Sequence, residues 1–192
     1  MLPRLGSSKV VTNWIIVTLA VSIVSWIDGR FAAWLALMPS RIIQGEVWRL
    51  FTWPFAEAGP IALVITCASI FKFGGELAHR WGDTRLQRYA TEALIAAGVI
   101  ATLLAVVAGN RFLIRTGGWA VADMLVIAWA RQFPDRSLSL YGGMVTVQGQ
   151  RLVQLTVGVA ILFALYFGPV VMAPELAACL IAALYPKSRL AR

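Results

Sequence analysis

Residues 45–55 read Gly45-Glu46-Val47-Trp48-Arg49-Leu50-Phe51-Thr52-Trp53-Pro54-Phe55, an aromatic stretch set between two long apolar runs. It carries an acid, a base and two indoles, so it is neither a plain membrane span nor an ordinary wet loop. Trp26, Trp34, Trp48 and Trp53 all lie in or beside the connection it belongs to, residues 28–59. Amphipathic rings suit the boundary between headgroups and hydrocarbon, so this connection is expected to lie partly in the membrane.

Composition agrees with that setting. Of 192 residues, 59% are apolar and 14% carry Asp, Glu, Lys or Arg, with a mean hydropathy of +0.76. A soluble domain runs near about a quarter charged. Too few polar side chains remain to cover such a surface in water, which excludes a soluble globular or disordered chain. The net charge of +8 comes from basic residues scattered between apolar segments, with no run of the kind nucleic acid demands. Cys67 and Cys179 both sit inside apolar stretches, which gives neither a disulfide framework nor a metal site.

A spanning helix takes about 20 mostly apolar residues. The expected fold is an all-α polytopic membrane protein, a single domain over residues 1–192. Six spans are expected, at about 10–27, 60–73, 90–108, 117–130, 152–167 and 170–185. The polar stretches 74–88 and 131–150 read as connections. The first apolar run is longer than a signal-peptide core and lacks a clear cleavage site. With a cytoplasmic N-terminus, the inner side holds Arg4, Lys9, Lys72, Arg80, Arg85, Arg88, Arg131, Arg136, Arg151, Lys187, Arg189 and Arg192. The outer side keeps Arg30, Arg41, Arg49, Arg111 and Arg115. That asymmetry favours both termini inside, and the compact form suggests a bacterial inner membrane.

Three blocks carry a family resemblance: Gly45-x-x-Trp48-Arg49-Leu50-x-Thr52, then Gly74-Gly75-Glu76-Leu77, then Arg80-Trp81-Gly82. Their order and spacing resemble the rhomboid superfamily, which has a G-x-x-W-R-L-x-T segment in the first outer loop and G-x-E-L after the second helix. The resemblance implies a six-helix rhomboid-like bundle and a site for intramembrane serine proteolysis. Nucleophilic catalysis needs a hydroxyl beside a base, with donors aimed at the oxyanion. The family's G-x-S-G segment matches Gly117-Gly118-Trp119-Ala120, which puts Trp119 at the serine position. The histidine of the last helix matches Glu175, with Pro174 the one-residue alternative. The second-helix His and Asn match Ala62 and Thr66, and the histidine ending the first loop matches Glu57. Every one of these is changed, so the resemblance implies a pseudoprotease. Ala178 and Ala182 keep small-xxx-small spacing, which suffices for close helix packing.

Ionisable groups at membrane depth demand an explanation. Asp123 lies one helical turn beyond Trp119 and faces the same way. Under the family packing, Trp119, Asp123 and Glu175 share one pocket, where two carboxylates could hold a proton between them. Either that pocket anchors a partner or lipid headgroup, or the acids bond a backbone or a water near the outer surface. Ser69 and Lys72 have the spacing of a Ser-Lys dyad, but Lys72 near a helix end has a simpler use in snorkelling. Arg49 suits carbonyl or headgroup bonds that tie the first loop. Glu76 suits bracing an inner loop, and His79, the sole histidine, reads as a solvated loop residue.

With hydroxyl and imidazole both missing, the expected function is non-catalytic, with no cofactor and no metal. The chain would bind transmembrane helices of other membrane proteins in a stable complex, as accessory subunit or client adaptor, amid membrane lipid and away from nucleic acid. The alternatives are an intramembrane peptidase with an unorthodox nucleophile and a proton- or ion-handling protein using Asp123 and Glu175.

Overall fold

The computed structural model describes residues 8–140 and 145–185, so Arg4, Lys187, Arg189 and Arg192 of the orientation count lie outside the described residues. Helix α1 (Lys9–Ile27) opens on Ser8, whose hydroxyl accepts from the Val11 N–H. Its inward face is Thr18, Ser22 and Ser25, while Ile16, Ile23 and Ile27 point outward. This arrangement inverts that of a soluble helix. Between helices in lipid, apolar burial brings little gain, and small side chains are used because they let backbones approach.

The first connection folds into three short helices, α2 (Gly29–Leu35), α3 (Pro39–Ile43) and α4 (Arg49–Thr52), followed by a 3-10 turn at Trp53–Phe55. Arg49 holds it together. Its Nη1 donates to the carbonyls of Ala33 and Ala36, which α2 leaves without intrahelical partners, at 2.6 and 2.8 Å, and its Nε donates to Glu46 at 2.6 Å. Thr52 adds a bond from its hydroxyl to the Leu35 carbonyl at 3.0 Å. Trp34 and Trp48 stay exposed, with ring centroids 5.5 Å apart, but Trp53 is fully buried and belongs to the core instead of the headgroup boundary.

Helix α5 (Pro60–Ser69) does not stop at residue 73. A π-type turn at Ile70–Gly74 leads directly into α6 (Gly75–Trp81), so the segment expected to open a polar connection is helical. Its charges are satisfied along the helix surface, Lys72 to Glu76 at 2.7 Å, and the path ends only at Gly82, whose φ of +84° a side chain would resist. Glu76 also accepts from the Trp129 indole at 2.7 Å and from Arg136 at 3.0 Å, which joins this end of the helix to the next layer.

Helix α7 (Asp83–Val107) packs on α10 (Ala173–Leu184), and the buried residues of both are mostly small, among them Ala97 and Ala101 on one and Ala177, Ala178 and Ala182 on the other, while Gly98 lets α7 approach Leu50 of α4. Ala178 and Ala182 are buried, and α10 packs against both α7 and α8 (Trp119–Gln132). Helix α8 lies at the centre, buried from Ala120 to Ala130 except at Asp123. Within the stretch expected to be a polar connection, β1 (Ser137–Leu140) pairs antiparallel with β2 (Val145–Gln148), with Leu138 opposite Val147. Helix α9 (Gly149–Phe167) follows, packed inward through Ala160 and Ala164.

Among the described residues, four helical paths are long and apolar enough to cross a membrane: α1, Pro60–Trp81, α7 and α9. This is fewer than the six expected. Helices α8 and α10 have 14 and 12 residues. At about 1.5 Å per residue they reach about 21 and 18 Å, short of the roughly 30 Å of hydrocarbon.

Candidate functional site

The ends of α1 and α9 and the starts of α5, α8 and α10 converge at one end of the bundle. A cavity of about 530 Å³ opens there, with Glu57, Ala62, Arg115, Trp119, Asp123 and Glu175 in its wall and the inner face of α9 along one side. Asp123 and Trp119, one turn apart, do line the same space, and Glu175 meets them from α10. Thr66 stands behind the wall. The structure therefore gathers residues that are far apart in sequence.

Glu57 is the junction. It is 2% exposed, and its Oε1 accepts from the Thr66 hydroxyl at 2.5 Å and from the Gly118 N–H at 2.7 Å. That N–H stands at the start of α8, where a helix leaves donors without intrahelical acceptors. The Glu57 backbone reaches α1: its N–H donates to Ser22 at 3.1 Å, and its carbonyl accepts from the Trp26 indole at 2.8 Å. One residue thus ties α1, α5 and α8. Burial pushes the Glu57 carboxyl above the ordinary range, and the bonds from Thr66 and Gly118 pull it part of the way back.

Close approach is possible only because residue 118 is glycine. A Cβ there would stand 2.5 Å from the Thr66 methyl and 2.8 Å from Glu57 Oε1. Gly117 beside it takes φ +111°, which turns the chain into α8.

Arg115 was counted as an outer-loop charge, but it reaches into the cavity. Its backbone exchanges two hydrogen bonds with Leu37, at 2.8 and 3.0 Å, so the first connection fixes its position. Its Nη2 pairs with Glu175, which is 2% exposed. Glu175 thus lines the same cavity as Asp123 and has in addition a guanidinium partner that the sequence did not suggest. Sequence spacing could not reveal this, because the pair is 60 residues apart. The only early signal was a basic residue just ahead of a Gly-Gly turn.

The Ser69-Lys72 pairing is not formed, since the Lys72 ammonium is 2.7 Å from Glu76. His79 is exposed on α6. Cys67 and Cys179 are free thiols, and no group of three or more His, Cys, Asp or Glu able to hold a metal occurs among the described residues.

No curated protein matches the chain. The rhomboid resemblance drawn from Gly45, Trp48, Arg49, Leu50, Gly74, Glu76 and Leu77 is overturned: a different family's model matches residues 10–186, and no rhomboid family does. Short motifs of Trp, Arg and Glu are weaker warrant than a match along nearly the whole chain. The protease ancestry assigned to Trp119, Glu175, Ala62, Thr66 and Glu57 goes with it, and what remains is their geometry. Placement in a bacterial inner membrane also loses its support, because the matching family is described as eukaryotic. By that match, the chain belongs to the family described as eukaryotic integral membrane protein, DUF1751.

Proposed function

We propose that the protein is a non-catalytic membrane subunit or adaptor that binds transmembrane helices of other proteins. The observation that supports this reading most directly is α9. It is long and apolar, yet it touches the bundle along one narrow face, while Leu162, Leu165 and Tyr166 point away from the protein with 61–81% of their surface free. A face of large apolar side chains can lie in lipid or against another helix, and a helix held by so few neighbours keeps its whole outer side available.

In this reading α8 and α10 also lie within the bilayer, giving six embedded segments. Both are wrapped by longer helices, so neither needs to reach lipid at both surfaces. Both termini are cytoplasmic, supported by Arg80, Arg85, Arg88, Arg131, Arg136 and Arg151, which gather at the end of the bundle opposite Glu57.

The test is site-specific photocrosslinking in native membranes, with the photoreactive residue at Leu162 or Tyr166 and, as the control face, at Leu103 or Leu104 on α7. The expected result is an adduct from α9 that maps to a spanning segment of another protein, with lipid alone from α7. Lipid adducts alone from both faces would refute the proposal.

A further inference from the structure

The cavity contains more polar acceptors than the protein itself uses. Glu57 Oε2 and Glu175 Oε2 are buried with no hydrogen-bond partner, and both residues are 2% exposed. One donor, Arg115 Nε, is likewise unmet. Buried polar atoms are ordinarily satisfied, and a cluster of unsatisfied ones in the wall of a cavity calls for a ligand that supplies the missing partners. The wall carries three carboxylates, Glu57, Asp123 and Glu175, against one guanidinium. The missing partner is mainly a multiple donor with positive charge, with one acceptor group for Arg115.

Shape adds the second half. Most of the polar residues sit where helices begin and end, and the apolar wall runs along α9 from Phe167 through Phe163 and Val159 to Leu155. Those twelve steps cover about 18 Å along the axis of α9, a membrane-crossing candidate beside which an acyl chain can lie. The volume of about 530 Å³ fits a headgroup and the upper part of a chain, and is too small for a helix.

We propose that this cavity is a binding site for one aminophospholipid. Its primary ammonium lies among Glu57, Asp123 and Glu175, its phosphate lies toward Arg115, and an acyl chain lies against α9. The site adjoins the helix-binding face on α9, since Leu155, Val159, Phe163 and Phe167 stay partly exposed beside Leu162 and Tyr166, and it differs from that face in its carboxylates and Arg115.

The experiment uses the full chain in nanodiscs of phosphatidylethanolamine, phosphatidylcholine and phosphatidylglycerol in equal amounts, with retained lipid identified by native mass spectrometry. Phosphatidylethanolamine is expected to be about fivefold enriched over the other two, an affinity difference of roughly 1 kcal/mol. Asp123→Asn, and Val159→Trp filling the apolar half, should each remove the preference, while Val99→Trp on the lipid side of α7 keeps it. Should Asp123→Asn fail to fold, the Val159→Trp comparison decides. Equal retention of the three lipids, or a preference that survives Val159→Trp, overturns the proposal. A second arm adds free ethanolamine to protein in detergent. Stabilisation equal to that by the phospholipid would show that a soluble amine, and not a lipid, is the ligand, and would also overturn it.

Discussion

Replacing Gly118 with alanine tests the junction at the head of α8 directly. The added carbon would lie 2.5 Å from the Thr66 methyl, 2.8 Å from Glu57 Oε1 and 3.2 Å from the Pro54 carbonyl oxygen. None of the three is a free side-chain end: two are anchored by the hydrogen bonds that define the junction, and the third is backbone. Forcing extra volume into a closed core costs about 1–3 kcal/mol. Displacing Glu57 weakens bonds to a carboxylate worth about 1.5–3 kcal/mol. The sum is about 4 kcal/mol, which in a chain of this size lowers the melting temperature by roughly 8–16 °C. Thermal unfolding in a mild detergent, followed by circular dichroism, reads it. Gly158→Ala is the internal control, because nothing lies within 4 Å of its added carbon and it sits inside α9. It should leave the melting temperature unchanged or raise it, since alanine favours helix by about 0.8 kcal/mol. Thr66→Ser removes the clashing methyl and keeps the hydroxyl on Glu57, so in the Gly118→Ala background it should restore about half of the loss. A Gly118→Ala protein that melts within about 1 °C of wild type, or no rescue by Thr66→Ser, would refute the packing argument.

Three further outcomes follow from the same geometry. Because burial raises the Glu57 carboxyl, the stability it contributes is full below the unfolded carboxyl value and declines as pH rises through the higher folded one. Glu57→Gln should flatten that decline in melting curves collected between about pH 4 and 8. Arg49→Met leaves the Ala33 and Ala36 carbonyls and the Glu46 carboxylate without their donor, which should cost about 3 kcal/mol and expose residues 28–48 to limited proteolysis. Arg49→Lys should recover less than half of it, because an ammonium carries its donors on one nitrogen and cannot place them where Nη1 meets the two carbonyls and Nε meets Glu46. Arg115→Met should destabilise by about 3 kcal/mol by stranding Glu175, and adding Glu175→Gln should bring back most of that loss in the same melting assay.

Long apolar runs were readable because hydrocarbon imposes its own length on a helix: α1 and α9 start and stop within three residues of the expected bounds, and α7 stops within one, although it starts at Asp83, inside the stretch expected to be a polar connection. The end of the second span was not. Lys72, Glu76, His79 and Arg80 have the composition of a loop, but Lys72 and Glu76 pair along the surface of a helix that continues to Trp81. Composition records polarity and is silent on whether each charge has a partner one turn away. The pairing of β1 with β2 was hidden for a related reason, since strands of four residues are too short to show an alternation. In the site, Trp119 and Asp123 could be placed together because helical spacing is local. Arg115 with Glu175 and Glu57 with Gly118 could not, as each pair closes a gap of about sixty residues. Motif spacing led to the wrong family for a comparable reason: the aromatic and basic residues of the first loop answer to a structural demand, holding short helices at a membrane boundary, that more than one family can meet.

The Glu57 junction also sets an order of events during synthesis. Its backbone partners on α1 are made before it, and Thr66 follows nine residues later, but the Gly118 N–H follows by 61. At about 5–20 residues per second the carboxylate waits roughly 3–12 s for that donor. Throughout that interval the nascent chain has α1 and α5 inserted with an acid between them whose second bond does not yet exist. A translocation machinery holding this intermediate must keep residue 57 hydrated until the fourth apolar segment arrives.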